Sequence, residues 1–154
     1  MSELKCLACG KPSPDKLVWE SVCLSCYNRI SKNRDPQTYL NRMFIGLRSI
    51  RKNKFEWTIK KTDMMPLWRN QDGRCALSGL PMMLYTGSGD RHLHSFNASI
   101  DRIDPKIGYH LFNVQRVCDR ANLIKNTLSE GELHVWVKSI HDYRFGHLNR
   151  DSNP

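Results

Sequence analysis

The sequence predicts an α+β protein, and three observations carry that expectation. A hairpin-then-helix pattern occupies residues 99–126, apolar stripes at helical spacing occupy 35–52 and 129–140, and two Cys-x-x-Cys pairs sit near the N-terminus. At 154 residues the chain is long enough for one domain with a core, or for a compact domain plus a small metal-stapled module.

The module comes first, and residues 1–34 are assigned to it. Cys6 and Cys9 form one pair, and Cys23 and Cys26 form the second after an insert of 13 residues. A two-residue gap lets two thiolates on one tight turn reach the same ion, and four thiolates suit tetrahedral zinc. Gly10, directly after Cys9, tolerates the backbone angles such a turn needs. So short a segment buries little apolar surface, so one structural Zn2+ is expected to supply its folding energy. Four thiolates leave no open position for a substrate.

Residues 35–60 read as a basic helix and a strand. Asp35-Pro36 is an N-cap followed by proline at the first helical position. Leu40, Met43, Phe44, Leu47 and Ile50 then make a buried stripe, with Arg42, Arg48, Arg51 and Lys52 mostly off it and Arg29, Lys32 and Arg34 leading in. Phe55, Trp57 and Ile59 alternate with polar neighbours, as a half-buried strand does. Residues 61–145 follow as a second region, opening on a short helix that Thr62 would cap and that runs through Trp68. Its stretch "YTGSGDRH" is the most loop-like in the chain. Ser129 and Glu132 form a capping box before a stripe of Leu133, Trp136, Val137 and Ile140, and residues 146–154 read as a flexible tail.

Charge is unevenly spread. Of the net +9, residues 1–60 hold 12 basic against 5 acidic side chains, while residues 99–154 hold 8 against 7. A basic half beside a nearly neutral half points to a polyanion, double-stranded DNA first, because phosphate neutralisation supplies sequence-independent affinity. A solvated basic surface is the plainer alternative. No apolar run approaches a membrane span, and the first residues lack a secretory signal pattern, so a reducing, cytoplasmic setting without a membrane partner is expected.

In "SIDRIDPKIGYHLFNVQRVCDRANLIKN" (99–126), "ASIDRID" reads as a strand, Pro105 through Gly108 as a turn and "YHLFNV" as the returning strand. Val114, Val117, Cys118, Ala121 and Ile124 share a helical face, so the helix is expected from about Val114. Asn122 at its edge would then be aimed at the strand bearing Asp101. One carboxylate oxygen and one amide oxygen, completed by water and substrate oxygens, suit a hard divalent cation such as Mg2+ or Mn2+.

This pattern resembles the HNH, or ββα-metal, nuclease motif over about residues 70–140, and the whole layout resembles the PacI-type restriction endonucleases. The resemblance implies a ββα-metal core with flanking helices. It makes Asp101 and Asn122 ligands of the catalytic cation, Asn113 the structural asparagine of the site and Lys125 a phosphate contact; the basic face of the 35–52 helix, with Arg42, Arg48, Arg51 and Lys52, is separately the expected DNA-backbone contact. It also implies phage or mobile-element equipment in a bacterial or phage-infected cell, 5′-phosphate and 3′-hydroxyl ends, and a homodimer if both strands are cut.

Two departures from the family stand out. Its flanking Cys-x-x-Cys knuckles read here as Cys75…Ser78 and Cys118…Ala121, so no second zinc is expected and both cysteines are placed in the core. The position of the family's usual general base is held here by Arg102, whose guanidinium stays protonated and so cannot take a proton from water. It can still bind phosphate and stabilise transition-state charge. His94, His92, His110, Tyr109 and Tyr85 are near enough to be weighed as the base, with His94 first on ordinary imidazole acidity.

The leading expectation is thus a metal-dependent DNA endonuclease. The alternatives are a non-catalytic, zinc-containing DNA-binding protein on a decayed nuclease scaffold, and a structure-specific or RNA nuclease on the same motif.

Overall fold

The computed structural model describes residues 5–6, 9–12, 23–26, 35–86 and 94–146. The basic lead-in at Arg29, Lys32 and Arg34, the loop tip with His92, and the tail beyond residue 146 lie outside the described residues.

Among the described residues the fold is α+β, with helices and a two-stranded antiparallel sheet. Helix α1 (Pro36–Arg51) starts as its sequence predicts: the Asp35 carboxylate accepts from the amides of Gln37 and Thr38, with Pro36 inside the first turn. Leu40 and Phe44 are buried by this helix, each contributing about 1.5–3 kcal/mol. Ile50, placed in the same stripe by spacing, is exposed, because the helix end runs past the core.

Residues 55–59 alternate in burial as predicted but do not form a strand. Among the described residues their one strand-like pairing is a parallel bridge between Trp57 and Tyr109. The Tyr109 amide donates to the Glu56 carbonyl at 2.8 Å, and the Thr58 and Ile59 amides donate back to the Tyr109 carbonyl. Gly108 permits the approach: a Cβ there would lie 2.4 Å from the Glu56 carbonyl oxygen.

A single 3-10 turn (Lys61–Asp63) leads into α2 (Met64–Asn70). Asp63, rather than Thr62, makes the side-chain contact at this start, accepting from the Lys60 amide at 2.7 Å. The helix also continues past Trp68, with Pro66 still within its first turn, where no intrahelical amide bond is lost.

Strand β1 (Ala98–Arg102) pairs with β2 (Val114–Cys118), placing Asp101 opposite Gln115 and Ile100 opposite Arg116. The helix expected from Val114 therefore starts late. Residues 114–118 are extended, the 3-10 turn at 111–113 takes half of the expected second strand, and α3 runs only from Asp119 to Lys125. Val114, Arg116, Val117 and Cys118 are all buried, so this strand is covered on both faces, and its apolar spacing mimics a helical stripe. Ile124 is exposed as a result.

The first amides of α3 have no side-chain cap. Instead the Asp119 amide donates to the Asn97 carbonyl at 2.8 Å and the Arg120 amide to the Ser95 carbonyl at 2.9 Å. These bonds dock the start of α3 on the segment preceding β1.

Helix α4 (Glu130–Phe145) opens with the predicted capping box between Ser129 and Glu132. Its stripe is not buried: Trp136, Val137 and Ile140 are all more than half exposed.

Two turns share one backbone form. At Lys5–Pro12 an antiparallel bridge closes a loop in which the Cys6 amide donates to the Lys11 carbonyl and the Gly10 amide to the Cys6 carbonyl. At Arg74–Pro81 the same bridge recurs, with the Cys75 amide on the Leu80 carbonyl and the Gly79 amide on the Cys75 carbonyl. Gly10 and Gly79 have φ of 70° and 68°, where a side chain is strained. The second turn thus keeps the form of a thiolate knuckle, with Ser78 where the first has Cys9.

Candidate active site

Residues of β1, of α3 and of the end of α1 line one open groove of about 600 Å³. His94, Ser99, Asp101, Arg102, Asp119 and Asn122 line it, together with Arg51 and Tyr109. Asp101, Arg102, Asn122 and His94 are thus brought to one place from three segments of the chain.

Asp101 is nearly buried, at 5 % exposure. Its Oδ1 accepts from Lys125 Nζ at 3.2 Å and its Oδ2 from Gln115 Nε2 at 3.1 Å. Lys125 is fully buried and also donates to the Arg102 carbonyl at 2.7 Å. That overturns its expected contact with DNA phosphate: the ammonium faces inward because α3 closes on β1, and the Asp101 carboxylate stabilises it there.

Asn122 donates through Nδ2 to Ser99 Oγ at 2.9 Å and to the Ile100 carbonyl at 3.4 Å. A carbonyl can only accept, so the Nδ2 edge faces β1 and Oδ1 occupies the opposite edge of the amide. Arg102 stacks its guanidinium 3.8 Å over the Phe55 ring and donates to the Ile107 carbonyl at 3.2 Å.

Asn113 does not line the groove. It is buried behind it, with Oδ1 accepting from the Asp104 amide and Nδ2 donating to the carbonyls of Asp104 and Gly108. It ties the 103–110 loop through backbone hydrogen bonds, the structural part expected of it, and it does not line the groove with the catalytic candidates. Arg42, Arg48, Arg51 and Lys52 are exposed on or just beyond α1, and Arg51 reaches the groove.

Sequence reasoning passed over Asp119, Ser99 and Asn97. Loss of surrounding water raises the Asp119 carboxyl above its ordinary range, against the lowering effects of the Ser99 hydroxyl and of His94. A signal was present, since Asp119 stands three residues before Asn122 on one helix face. Among the other candidates for the base, His110 is engaged by Glu56 and Thr58 away from the groove. Tyr85 packs edge-on against His94. Burial raises the Tyr109 hydroxyl above its ordinary range.

A second cluster lies at the N-terminus. The thiols of Cys6, Cys9, Cys23 and Cys26 lie within 4.8 Å of one another and can hold a metal ion. Cys9 and Cys23 Sγ are 4.0 Å apart, close to the edge of about 3.8 Å that tetrahedral zinc–thiolate bonds require. The Cys23 amide donates to Cys6 Sγ at 3.2 Å, as amides do to metal-bound thiolates. Burial and the neighbouring thiols push the Cys26 thiol up, a cost that a cation at the centre removes. In the other knuckle, Cys75 and Cys118 are both buried, and the neighbouring Cys118 and Ser78 groups lower the Cys75 thiol to about 5 against the effect of burial.

No protein-family model and no curated protein matches the sequence. Among solved structures, the rare-cutting HNH restriction endonuclease PacI aligns over 93 % of this chain and 96 % of its own, at 18 % identity and a TM-score of 0.46. At that score the likeness carries no argument for this chain. No described helix is long and apolar enough to cross a membrane.

Proposed function

We propose that this chain is a metal-dependent endonuclease that hydrolyses phosphodiester bonds in double-stranded DNA at the groove between β1 and α3. The observation that supports this reading best is the convergence of Asp101, Asn122 and Arg102 on one open groove reached by Arg51 of the basic helix.

The donor set fits a hard divalent cation. Asp101 accepts two hydrogen bonds where a carboxylate can take about four, and the outer edge of Asn122 carries a neutral amide oxygen. Lys125 cancels the Asp101 charge, so the protein adds almost no net negative charge at the site. Substrate phosphate would supply the rest, and cation binding should therefore be weak without DNA. When bound, Mg2+ or Mn2+ would lend Lewis-acid stabilisation to the reacting phosphate.

The chain's own side chains do the remaining work in this reading. Arg102 would neutralise a nonbridging phosphate oxygen. Asp119 would take the proton from the attacking water, whose oxygen forms the new P–O bond as the bond to the 3′ oxygen breaks. Arg42, Arg48, Arg51 and Lys52 would hold the DNA backbone, contacts that position without specifying sequence. Residues 1–34 would form a zinc module, 35–60 a DNA-contacting connector and 61–145 the ββα-metal nuclease domain.

Two observations favour a second reading, a non-catalytic DNA-binding protein: the acidic ligand is neutralised by Lys125, and Arg102 rather than a histidine follows it on the strand. Incubating supercoiled plasmid with the chain, with and without Mg2+ or Mn2+, separates the two. The nuclease reading expects metal-dependent nicking that Asn122→Ala abolishes while DNA binding persists. Binding with no nicking under either metal leaves the second reading.

A further inference from the structure

Asn97 is 4 % exposed, and both ends of its amide are assigned by backbone partners. Its Oδ1 accepts from the Tyr85 amide at 2.8 Å, and its Nδ2 donates to the Tyr85 carbonyl at 2.8 Å. An amide N–H must meet an acceptor and a carbonyl must meet a donor, so the side chain cannot be flipped without breaking both bonds. The same Nδ2 lies 3.2 Å from His94 Nδ1. An amide nitrogen is a donor only, and therefore His94 Nδ1 accepts. In neutral imidazole the proton then resides on Nε2.

We propose that His94 serves the groove as an Nε2–H hydrogen-bond donor, that Asn97 is the positioning residue holding it in that tautomer, and that His94 is not the base that activates water. The proposal deepens the nuclease reading and rests on it for the identity of the acceptor, a nonbridging phosphate oxygen. The lone pair a base would use at Nδ1 is occupied by Asn97, and the other nitrogen already carries its hydrogen. Further restraints agree. The Asn97 amide donates through the backbone to the His94 carbonyl at 3.0 Å, and the Tyr85 ring packs edge-on against the imidazole at 5.2 Å. Asp119 lines the same groove as His94. The chemistry proposed for it is hydrogen-bond donation to developing charge, as in an oxyanion hole.

The test begins with the tautomer. A long-range proton–nitrogen correlation spectrum of the isotope-labelled full chain at neutral pH, with His94 assigned by its loss in His94→Gln, should show an unprotonated Nδ1 and a protonated Nε2. A protonated Nδ1, or rapid exchange between the two forms, overturns the proposal, and this measurement needs no activity. Asn97→Asp should move the proton to Nδ1, because a carboxylate can only accept; an unchanged spectrum removes Asn97 from its role. Nicking then tests the donor: a glutamine side chain can donate but cannot act as a base. His94→Gln should stay within about tenfold of the parent, and His94→Ala should lose about a hundredfold. Equal loss in both variants overturns the donor role. Absence of nicking by the parent chain sinks the nuclease reading and leaves the tautomer result standing.

Discussion

Lys125 Nζ lies 3.2 Å from Asp101 Oδ1, with the lysine side chain fully buried and the aspartate 5 % exposed. The pair joins α3 to β1 across 24 residues of sequence, at the point where the proposed cation would bind. It sets the position of Asn122 and the charge of the site together.

Removing the lysine should therefore be costly for the fold. Lys125→Met leaves a buried carboxylate without its cation, which typically costs about 3–5 kcal/mol. Denaturant unfolding of Lys125→Met beside Lys125→Met/Asp101→Asn checks it, since the double variant removes both charges. Recovery of about half the loss or more is expected in the double variant, and none would show that the pair is not the cause.

Gly108 is the second vulnerable point. An alanine Cβ would stand 2.4 Å from the Glu56 carbonyl oxygen, so the Trp57–Tyr109 bridge must open. Gly108→Ala should lower stability by about 1–3 kcal/mol. Gly46→Ala meets nothing within 4 Å and sits inside α1, so it should be neutral or stabilising.

For the N-terminal cluster, metal analysis of the purified chain should give about one zinc per molecule, lost in Cys9→Ser. Values near zero or near two contradict the assignment. Because Ser78 occupies a knuckle of the same backbone form, Ser78→Cys combined with Ala121→Cys should raise the content to about two.

The two helix caps predict a direction with pH. Asp35 and Glu132 both have carboxyls held below their ordinary values, Asp35 chiefly by the Thr38 hydroxyl and Glu132 by the Ser129 amide. A lowered folded value means that the contribution is present above the unfolded value and is lost as pH falls through the folded one. Thermal melts from pH 6 down to about pH 3 should show falling stability, part of which disappears in Asp35→Asn, since asparagine caps without titrating.

The basic helix makes a prediction in salt. Replacing Arg42, Arg48 and Lys52 by alanine should flatten the dependence of DNA affinity on salt by about 0.9 per lost phosphate contact, while changing stability little. Filter binding over a salt series reads both slope and affinity. An unchanged slope would remove these residues from the interface. The same assay on Lys125 variants should show no slope change.

Features carried by neighbouring residues were legible before any coordinates. The Asp35–Pro36 start, the Ser129–Glu132 box and the cysteine pairs each depend on residues a few positions apart, where side-chain geometry follows from the backbone. The alternation at Phe55, Trp57 and Ile59 was legible too, although not the absence of a strand, because strand pairing depends on a partner elsewhere in the chain. The switch from β2 to α3 at Cys118 was misplaced for a related reason. A strand buried on both faces shows apolar residues at spacings a helix also uses, and only the partner β1 decides between them.

The site divides along the same line. The sequence by itself determined which chemical groups exist: a carboxylate, an amide and a guanidinium where a base would stand. Tertiary structure decided what each one faces. Packing α3 on β1 turned Lys125 inward onto Asp101, and the Tyr85 backbone set the amide of Asn97 and so the proton on His94. Hydrogen bonds between residues 12 or 24 positions apart depend on how elements pack, and spacing along the chain does not encode that direction.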